Sequence, residues 1–321
     1  MMDLKIFCGN ANRPLAEGIT RYLGVPLGEA LVGTFKNGET RVKINEHVRG
    51  ADVFVIQPTS APTDHHLMEL LIMLDAVRRA SAARITAVIP YYGYAKQEKK
   101  TSGREPITAK LVANLIVTAG ADRVVAVDLH APAIQGFFDV PVDNLTAVPI
   151  LADHLLDRIR DDIVVVSPDA GGVARAYEFR NRVGASFALI AKHRPEPDKS
   201  EMLEMVGDVQ GKTAVIVDDM VSTGGTLANA AELLMERGAT RVMAYAVHPV
   251  LAGEAPELIH ESLLDRVVVT NTIQIPPECR DNKIVELDVS FLVGEAIRRI
   301  HEGMSISALF QAERFRQESL I

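Results

Sequence analysis

Tryptophan is absent from this chain of 321 residues, and cysteine occurs only twice, at Cys8 and Cys279. Two cysteines exclude a disulfide framework and a thiolate metal cluster, and a reducing compartment is the simple expectation. Long apolar runs are missing, so no segment reads as membrane-spanning. The opening Met-Met-Asp-Leu-Lys has neither the basic start nor the apolar centre of a secretory signal, which makes the cytoplasm the expected location. Excess positive charge is missing as well: a net charge of −8 argues against a general nucleic-acid binder. No stretch is low-complexity. What remains is an ordinary globular composition, long enough for about two domains.

One stretch organises the rest. Val215-Ile-Val-Asp-Asp-Met-Val-Ser-Thr-Gly-Gly-Thr226 opens with an apolar run, 214–217, that reads as a buried parallel strand. Two adjacent carboxylates, Asp218 and Asp219, close that run. The turn Ser222, Thr223, Gly224, Gly225, Thr226 then leads into a helical pattern from Leu227 to Met235. A glycine-rich turn at a helix N-terminus aims backbone amides at an anion, and the helix dipole favours negative charge there. Paired carboxylates at the C-terminal end of a strand suit sugar hydroxyls or a magnesium ion. The bland alternative is a plain strand-to-helix loop with a threonine cap. A second glycine-rich stretch, Gly207-Asp-Val-Gln-Gly-Lys-Thr213, is a decoy. It is one residue short of a phosphate-binding P-loop and precedes its strand, where a P-loop follows one.

Taken in order, the chain alternates strand and helix. Strands are expected at 4–8, 52–56, 85–89 and 123–127, and again at 163–166, 186–190, 241–247 and 266–269. Helices are expected at 14–22, 64–80, 106–119, 149–160 and 290–302, the second with Asp64 as N-cap and Leu67, Leu70, Leu71, Leu74 and Val77 on one face. His65 and His66 read as exposed. Asn37-Gly38 is a hairpin turn signal, and 40–44 alternates like an edge strand. On composition alone Phe35 reads as a core aromatic and Glu39 as a solvated strand residue.

The segment 91–105 carries Lys96, Lys99, Lys100 and Arg104 in an otherwise acidic chain, and reads either as a basic lid over a polyphosphate or as a solvated loop. Residues 135–143 and 195–204 read as loops. His130, Asp169 and the run Lys192-His-Arg-Pro195 each follow a strand, where α/β folds bind ligands.

The same unit occurs twice. Gly120-Ala-Asp-Arg-Val-Val-Ala-Val-Asp-Leu-His130 matches Gly238-Ala-Thr-Arg-Val-Met-Ala-Tyr-Ala-Val-His248, and Thr86-Ala-Val-Ile89 resembles Thr213-Ala-Val-Ile216. The fold class is therefore α/β: two similar domains, each a mainly parallel sheet flanked by helices. The expected division is 1–145, 146–303 and a tail 304–321.

These residues carry a family resemblance. Val217-Asp-Asp-Met-Val-Ser-Thr-Gly-Gly-Thr226 resembles the phosphoribosyl-binding motif of the phosphoribosyltransferases. With Phe35-Lys-Asn-Gly-Glu39, Asp128-Leu-His-Ala-Pro132, Ser167-Pro-Asp-Ala-Gly-Gly172 and Lys192-His-Arg-Pro195, in that family's order, the whole chain resembles a bacterial-type ribose-phosphate diphosphokinase.

The resemblance implies two tandem phosphoribosyltransferase-type domains and transfer of diphosphate from Mg-ATP to the C1 hydroxyl of ribose 5-phosphate. It assigns ATP contacts to Phe35, Asn37, Gly38, Glu39, Lys96 and Gln97, and metal contacts to His130 and Asp169. Ribose 5-phosphate falls to Asp218, Asp219, Ser222, Thr223, Gly224, Gly225, Thr226 and Arg194, and Lys192 with Arg194 form the catalytic basic pair. It further implies Mg2+ as cofactor, a homohexamer sharing active sites between subunits, a tail at a subunit interface, and an allosteric site with Arg49, Ser305, Ser307 and Phe310. Lys96, Glu98, His193 and Ser222 depart from the usual motif, where Arg, Asp, Arg and an acid are common. The competing classes are a silent regulatory subunit and a phosphoribosyltransferase.

Overall fold

The structure, a computed structural model, describes residues 2–193, 202–280 and 282–310; for Lys192, His193, Met202, Leu203, Ala308 and Phe310 it describes the backbone alone. The chain divides into two compact units: 1–146 with 272–274 and 288–311, and 147–271 with 275–287 and 312–321.

The first unit runs β1 (Leu4–Cys8), α1 (Arg13–Leu23), β2 (Ala30–Thr34), β3 (Thr40–Ile44), β4 (Asp52–Ile56), α2 (Thr63–Arg79), β5 (Arg84–Ile89), α3 (Thr108–Ala119), β6 (Arg123–Val127) and β7 (Val142–Leu145). Its five-stranded sheet has the order β1-β4-β5-β6-β7, with every pair parallel. β4 is Asp-Val-Phe-Val-Ile, buried at every position, as a central strand covered on both faces must be. The hairpin β2–β3 forms its own two-stranded antiparallel sheet outside this ladder.

The second unit runs α4 (Val148–Arg158), β8 (Ile163–Ser167), α5 (Val173–Val183), β9 (Ser186–His193), β10 (Met202–Val206), β11 (Thr213–Val221), α6 (Gly225–Glu236), β12 (Arg241–Pro249), α7 (Ala255–Glu261), β13 (Arg266–Thr270) and β14 (Ile284–Leu287). The sheet order is β10-β9-β8-β11-β12-β13-β14, parallel except for the β10–β9 pair. After β8 the chain builds outward through β9 and β10, then returns to lay β11 on the other side of β8. The order of strands reverses between β8 and β11, and open α/β sheets bind ligands in the crevice at such a reversal. The first sheet is laid down in one direction and has none.

The α/β class and the two sheets are as expected. The matched duplicates occupy equivalent places: β6 beside β5, and β12 beside β11. Each is preceded by a glycine with positive φ, Gly120 at +123° and Gly238 at +88°, that ends the helix before it.

Several expectations need correction. Helix α8 (Ser290–Glu302) was grouped with the second half, but it packs on α1 in the first unit. There the Tyr22 hydroxyl donates to Glu295 Oε2 (3.0 Å), the Arg84 guanidinium donates to Ile300 O (3.0 Å), and His301 Nδ1 lies 2.8 Å from Asp52 Oδ2. Residues 142–145 are a strand, not loop, and Glu204 sits in β10. Asp64 lies inside the first turn of α2 and accepts from the Tyr94 hydroxyl, so Pro62 stands at the N-cap. His66 is buried with Nδ1 2.8 Å from Ser60 O. Ser307–Phe310 (α9) in the tail is a helical turn, with Leu309 buried. No helix among the described residues is long and apolar enough to cross a membrane.

Candidate active site

In the second unit the carboxylates do not end the strand: β11 runs on through Val221 and carries both within it. Side chains of neighbouring strand residues alternate between faces, yet one guanidinium reaches both. Arg175 Nη1, from the first turn of α5, lies 3.9 Å from Asp218 Oδ1 and 3.8 Å from Asp219 Oδ1. Asp218 folds back to accept the Asp219 amide at 2.8 Å. Burial, and then the neighbouring Asp219 charge, push the Asp218 carboxyl up to about 7, with Arg175 opposing the rise. The pair places two carboxylates side by side within reach of one guanidinium.

The turn that follows is built for an anion. Gly224 has φ +81°, where a side chain is strained, and a Cβ there would stand 3.3 Å from Ala255 O. Gly225 faces open space within 4 Å of its absent Cβ. Gly224 is the N-cap of α6 and no side chain caps that helix, which removes the threonine-cap reading. Among the described residues, the amides of Thr223 and Gly224 donate no backbone hydrogen bond. Unspent amides at a helix start are what a phosphate needs. The loop after β12 braces the turn: Leu251 N donates to Val221 O and Ala252 N to Ser222 O, each at 2.9 Å.

Asp169 follows β8, the strand next to β11. Its Oδ1 accepts the Gly172 amide at 2.9 Å, and the Ser167 hydroxyl donates to its carbonyl at 2.7 Å. The Ser-Pro-Asp-Ala-Gly-Gly turn is thus tied into a loop at the strand reversal. Lys192 is in β9, opposite Leu203 on β10; Arg194 lies outside the described residues.

In the first unit, Phe35, Asn37, Gly38 and Glu39 share the tip of the β2–β3 hairpin. Phe35 N donates to Glu39 O at 2.8 Å, Gly38 has φ +92°, and the Asn37 side chain accepts the Glu39 amide at 3.2 Å. Phe35 is 48% exposed, so it is no core aromatic, and the Arg41 guanidinium carbon sits 5.4 Å from its ring centre. Segment 91–105 is neither wholly solvated nor unpacked. Tyr92 and Ala95 are buried and the Tyr92 hydroxyl donates to Ala109 O at 2.8 Å, while Lys96 and Gln97 are exposed. Farther on, Glu105 accepts from the amides and hydroxyls of Thr101 and Ser102, led by the Ser102 hydroxyl, which holds its carboxyl down at about 2. His130 is partly exposed just beyond β6, after Asp128 with φ +41°. Arg49, Ser305 and Ser307 are exposed, and Ser305 O accepts from Arg299 Nη1 at 2.9 Å.

Among the described residues no three His, Cys, Asp or Glu converge as a metal cage. Magnesium asks for less, one or two carboxylates plus water and phosphate oxygens, and the adjacent carboxylates of Asp218 and Asp219 fit such an ion. Arg175 is the functional candidate that sequence reading missed. Its only signal is its place three residues beyond the Gly171-Gly172 turn, in the first turn of a helix at the strand reversal.

Residues 4–120 match the N-terminal domain of ribose phosphate pyrophosphokinase, and residues 190–311 match the phosphoribosyl synthetase-associated domain. The chain is 54% identical over 309 residues to the ribose-phosphate pyrophosphokinase of Caldanaerobacter subterraneus subsp. tengcongensis, covering 96% of this chain and 98% of that one. It is 52% identical over 308 residues to the Bacillus cereus protein of the same name, with 96% and 97% covered. Among solved structures, the phosphoribosylpyrophosphate synthetase from Mycobacterium smegmatis superposes with a TM-score of 0.88 at 44% identity, covering 94% of this chain and 99% of that one. The two sheets are accordingly two tandem phosphoribosyltransferase-type domains, and the chain belongs to the ribose-phosphate pyrophosphokinase family.

Proposed function

We propose that the chain transfers the diphosphate group of Mg-ATP to the C1 hydroxyl of ribose 5-phosphate, giving 5-phosphoribosyl 1-diphosphate and AMP for nucleotide biosynthesis. The observation that carries this reading is the strand β11 running through Asp218 and Asp219 into an uncapped helix start at a strand reversal. The amides and hydroxyls of Ser222 to Thr226 hold the 5-phosphate. Asp218 and Asp219 accept from the ribose hydroxyls and so fix the ring that presents O1. Phe35 stacks on the base, and Asn37 and Glu39 read its edge. Lys96 and Gln97 close over the nucleotide. Lys192 and Arg194 neutralise charge on the diphosphate as the O1–Pβ bond forms and AMP departs.

Phosphoryl-type transfer is mostly positioning plus charge compensation, which is what these groups supply. Magnesium on the nucleotide would be held by Asp169 and His130, Asp169 having the oxygen that the ion prefers, and would spread the phosphate charge. The acting form is a homo-oligomer in the cytoplasm, expected to be a hexamer with sites shared between subunits and with Arg49, Ser305, Ser307 and Phe310 in a regulatory site.

The test is ribose 5-phosphate plus Mg-ATP with AMP measured. Folded protein that releases no AMP overturns the reading in favour of a silent subunit. Nucleotide formed instead from a free base and the phosphoribosyl diphosphate assigns a phosphoribosyltransferase. Mass in phosphate buffer, with and without ADP, tests the oligomer and its regulation.

A further inference from the structure

A carboxylate with no surface exposure sits in α2, away from the acids described above. Glu69 accepts three N–H groups: the Asn10 amide at 3.1 Å, Asn10 Nδ2 at 2.6 Å and Gln57 Nε2 at 2.7 Å; His65 Nε2 lies 3.2 Å from its Oε1. Among the described residues no Lys or Arg pairs with it. Burying an ionised carboxylate is unfavourable by several kcal/mol, and packing α2 needs only an apolar side chain at this place. The three donors show what the carboxylate does: it gathers the ends of β1 and β4 onto one helix. Gly9 allows this, because a Cβ there would stand 2.5 Å from Gln57 Cδ.

One of the three donors reaches further. Asn10 Nδ2 also donates to Val32 O of β2 at 3.3 Å. The orientation of that amide is chemically fixed, since its NH2 faces a carboxylate and a carbonyl and its oxygen could bond neither. The hairpin β2–β3 has no ladder to the main sheet. Its base is tied by Gly28 N to Ile6 O (2.7 Å) and by Glu46, which accepts the Glu29 amide (2.6 Å) and Lys5 Nζ (3.0 Å). Val32 lies up the strand, three residues from Phe35. The Asn10 bond therefore acts nearer the tip than either tie at the base.

We propose that Asn10, oriented by Glu69, is a positioning residue for the nucleotide: it sets the angle at which the hairpin presents Phe35, Asn37 and Glu39. The proposal rests on the reading that this tip contacts the base of ATP. Asn10 touches no substrate itself. Its loss acts on nucleotide affinity through the hairpin and leaves the ribose 5-phosphate end, carried by the other unit, unchanged.

The test is a double-mutant cycle in the full-length enzyme, with KM measured for both substrates. Asn10→Ala, a substitution at an exposed residue, is expected to raise KM for ATP about fivefold, the equivalent of one ordinary hydrogen bond, and to leave KM for ribose 5-phosphate within about twofold. Glu69→Gln is expected to act in the same direction. In a Phe35→Ala background the Asn10→Ala effect is expected to vanish, because two changes on one path are not additive. Raised KM for both substrates, an unchanged KM for ATP, or full additivity with Phe35→Ala overturns the proposal. A Phe35→Ala enzyme with unchanged KM for ATP removes the underlying base-contact reading and the proposal with it. A raised KM in Phe35→Ala alone removes only the role of Asn10.

Discussion

Arg175 Nη1 stands 3.8 Å from Asp219 Oδ1, and the same nitrogen is 3.9 Å from Asp218 Oδ1. One guanidinium thus spans both acids, at distances longer than a direct hydrogen bond. Arg175→Gln removes it and is expected to destabilise the protein by about 1–3 kcal/mol at neutral pH, between the surface and buried limits for an ion pair. Thermal unfolding with and without magnesium checks this. Magnesium is expected to restore more stability to the variant than it adds to the parent; equal shifts in both would separate Arg175 from the acid pair.

Asp218, pushed up to about 7, makes stability depend on pH with a definite sign. A carboxyl whose folded pKa is raised holds a proton that the unfolded chain has already lost between about pH 4 and 7. Stability attributable to it therefore falls as pH rises through that window. Asp218→Asn removes the titration. In chelator, the variant is expected to gain stability over the parent at pH 7.5 and to lose that advantage near pH 4.5, while losing activity. An advantage that does not change with pH would contradict the assignment.

Gly224 cannot take a side chain without both a strained φ and a 3.3 Å approach to Ala255 O. Gly224→Ala is expected to raise KM for ribose 5-phosphate about tenfold, the effect of roughly 1–2 kcal/mol of backbone strain, with KM for ATP little changed. Steady-state kinetics with each substrate varied in turn decides it.

Lys192→Ala is expected to lower kcat about a hundredfold or more and to leave both KM values within a few-fold, because a group that meets charge only as the diphosphate moves acts on the transition state. AMP release under saturating substrates measures it. A large rise in KM at unchanged kcat would make Lys192 a binding residue.

Phe35→Ala is expected to raise KM for ATP by about tenfold through loss of base stacking, with ribose 5-phosphate unaffected. The reverse pattern would remove Phe35 from the nucleotide.

Much of this was legible in the residues. Buried parallel strands announce themselves as short apolar runs rich in valine and isoleucine, and β4, β8 and β13 are such runs. Asn37-Gly38 fixed a hairpin because the turn chemistry is local. The edge strands β7, β10 and β14 were not legible: Val-Asp-Asn-Leu becomes a strand only because β6 offers it a ladder. Nor was the exposure of Phe35, since a lone aromatic reads as core until its neighbours are known. Arg175 needed the strand order, which brings α5 beside β11. Glu69 looked like any acid on an amphipathic helix; its burial follows from the convergence of Asn10 and Gln57, which lie 59 and 12 residues away in sequence.

Helix α8 returns the chain to the first unit only after the whole second sheet has been laid down. Asp52, on the central strand β4, finds one of its partners, His301, only 249 residues later. During synthesis the first unit emerges early and waits for its final helix, whereas 147–287 emerge as one continuous run. The sheet that carries the acids and the glycine turn is thus free to mature first, although it is second in the chain, and the first unit lacks helix α8 until residues 290–302 have been made.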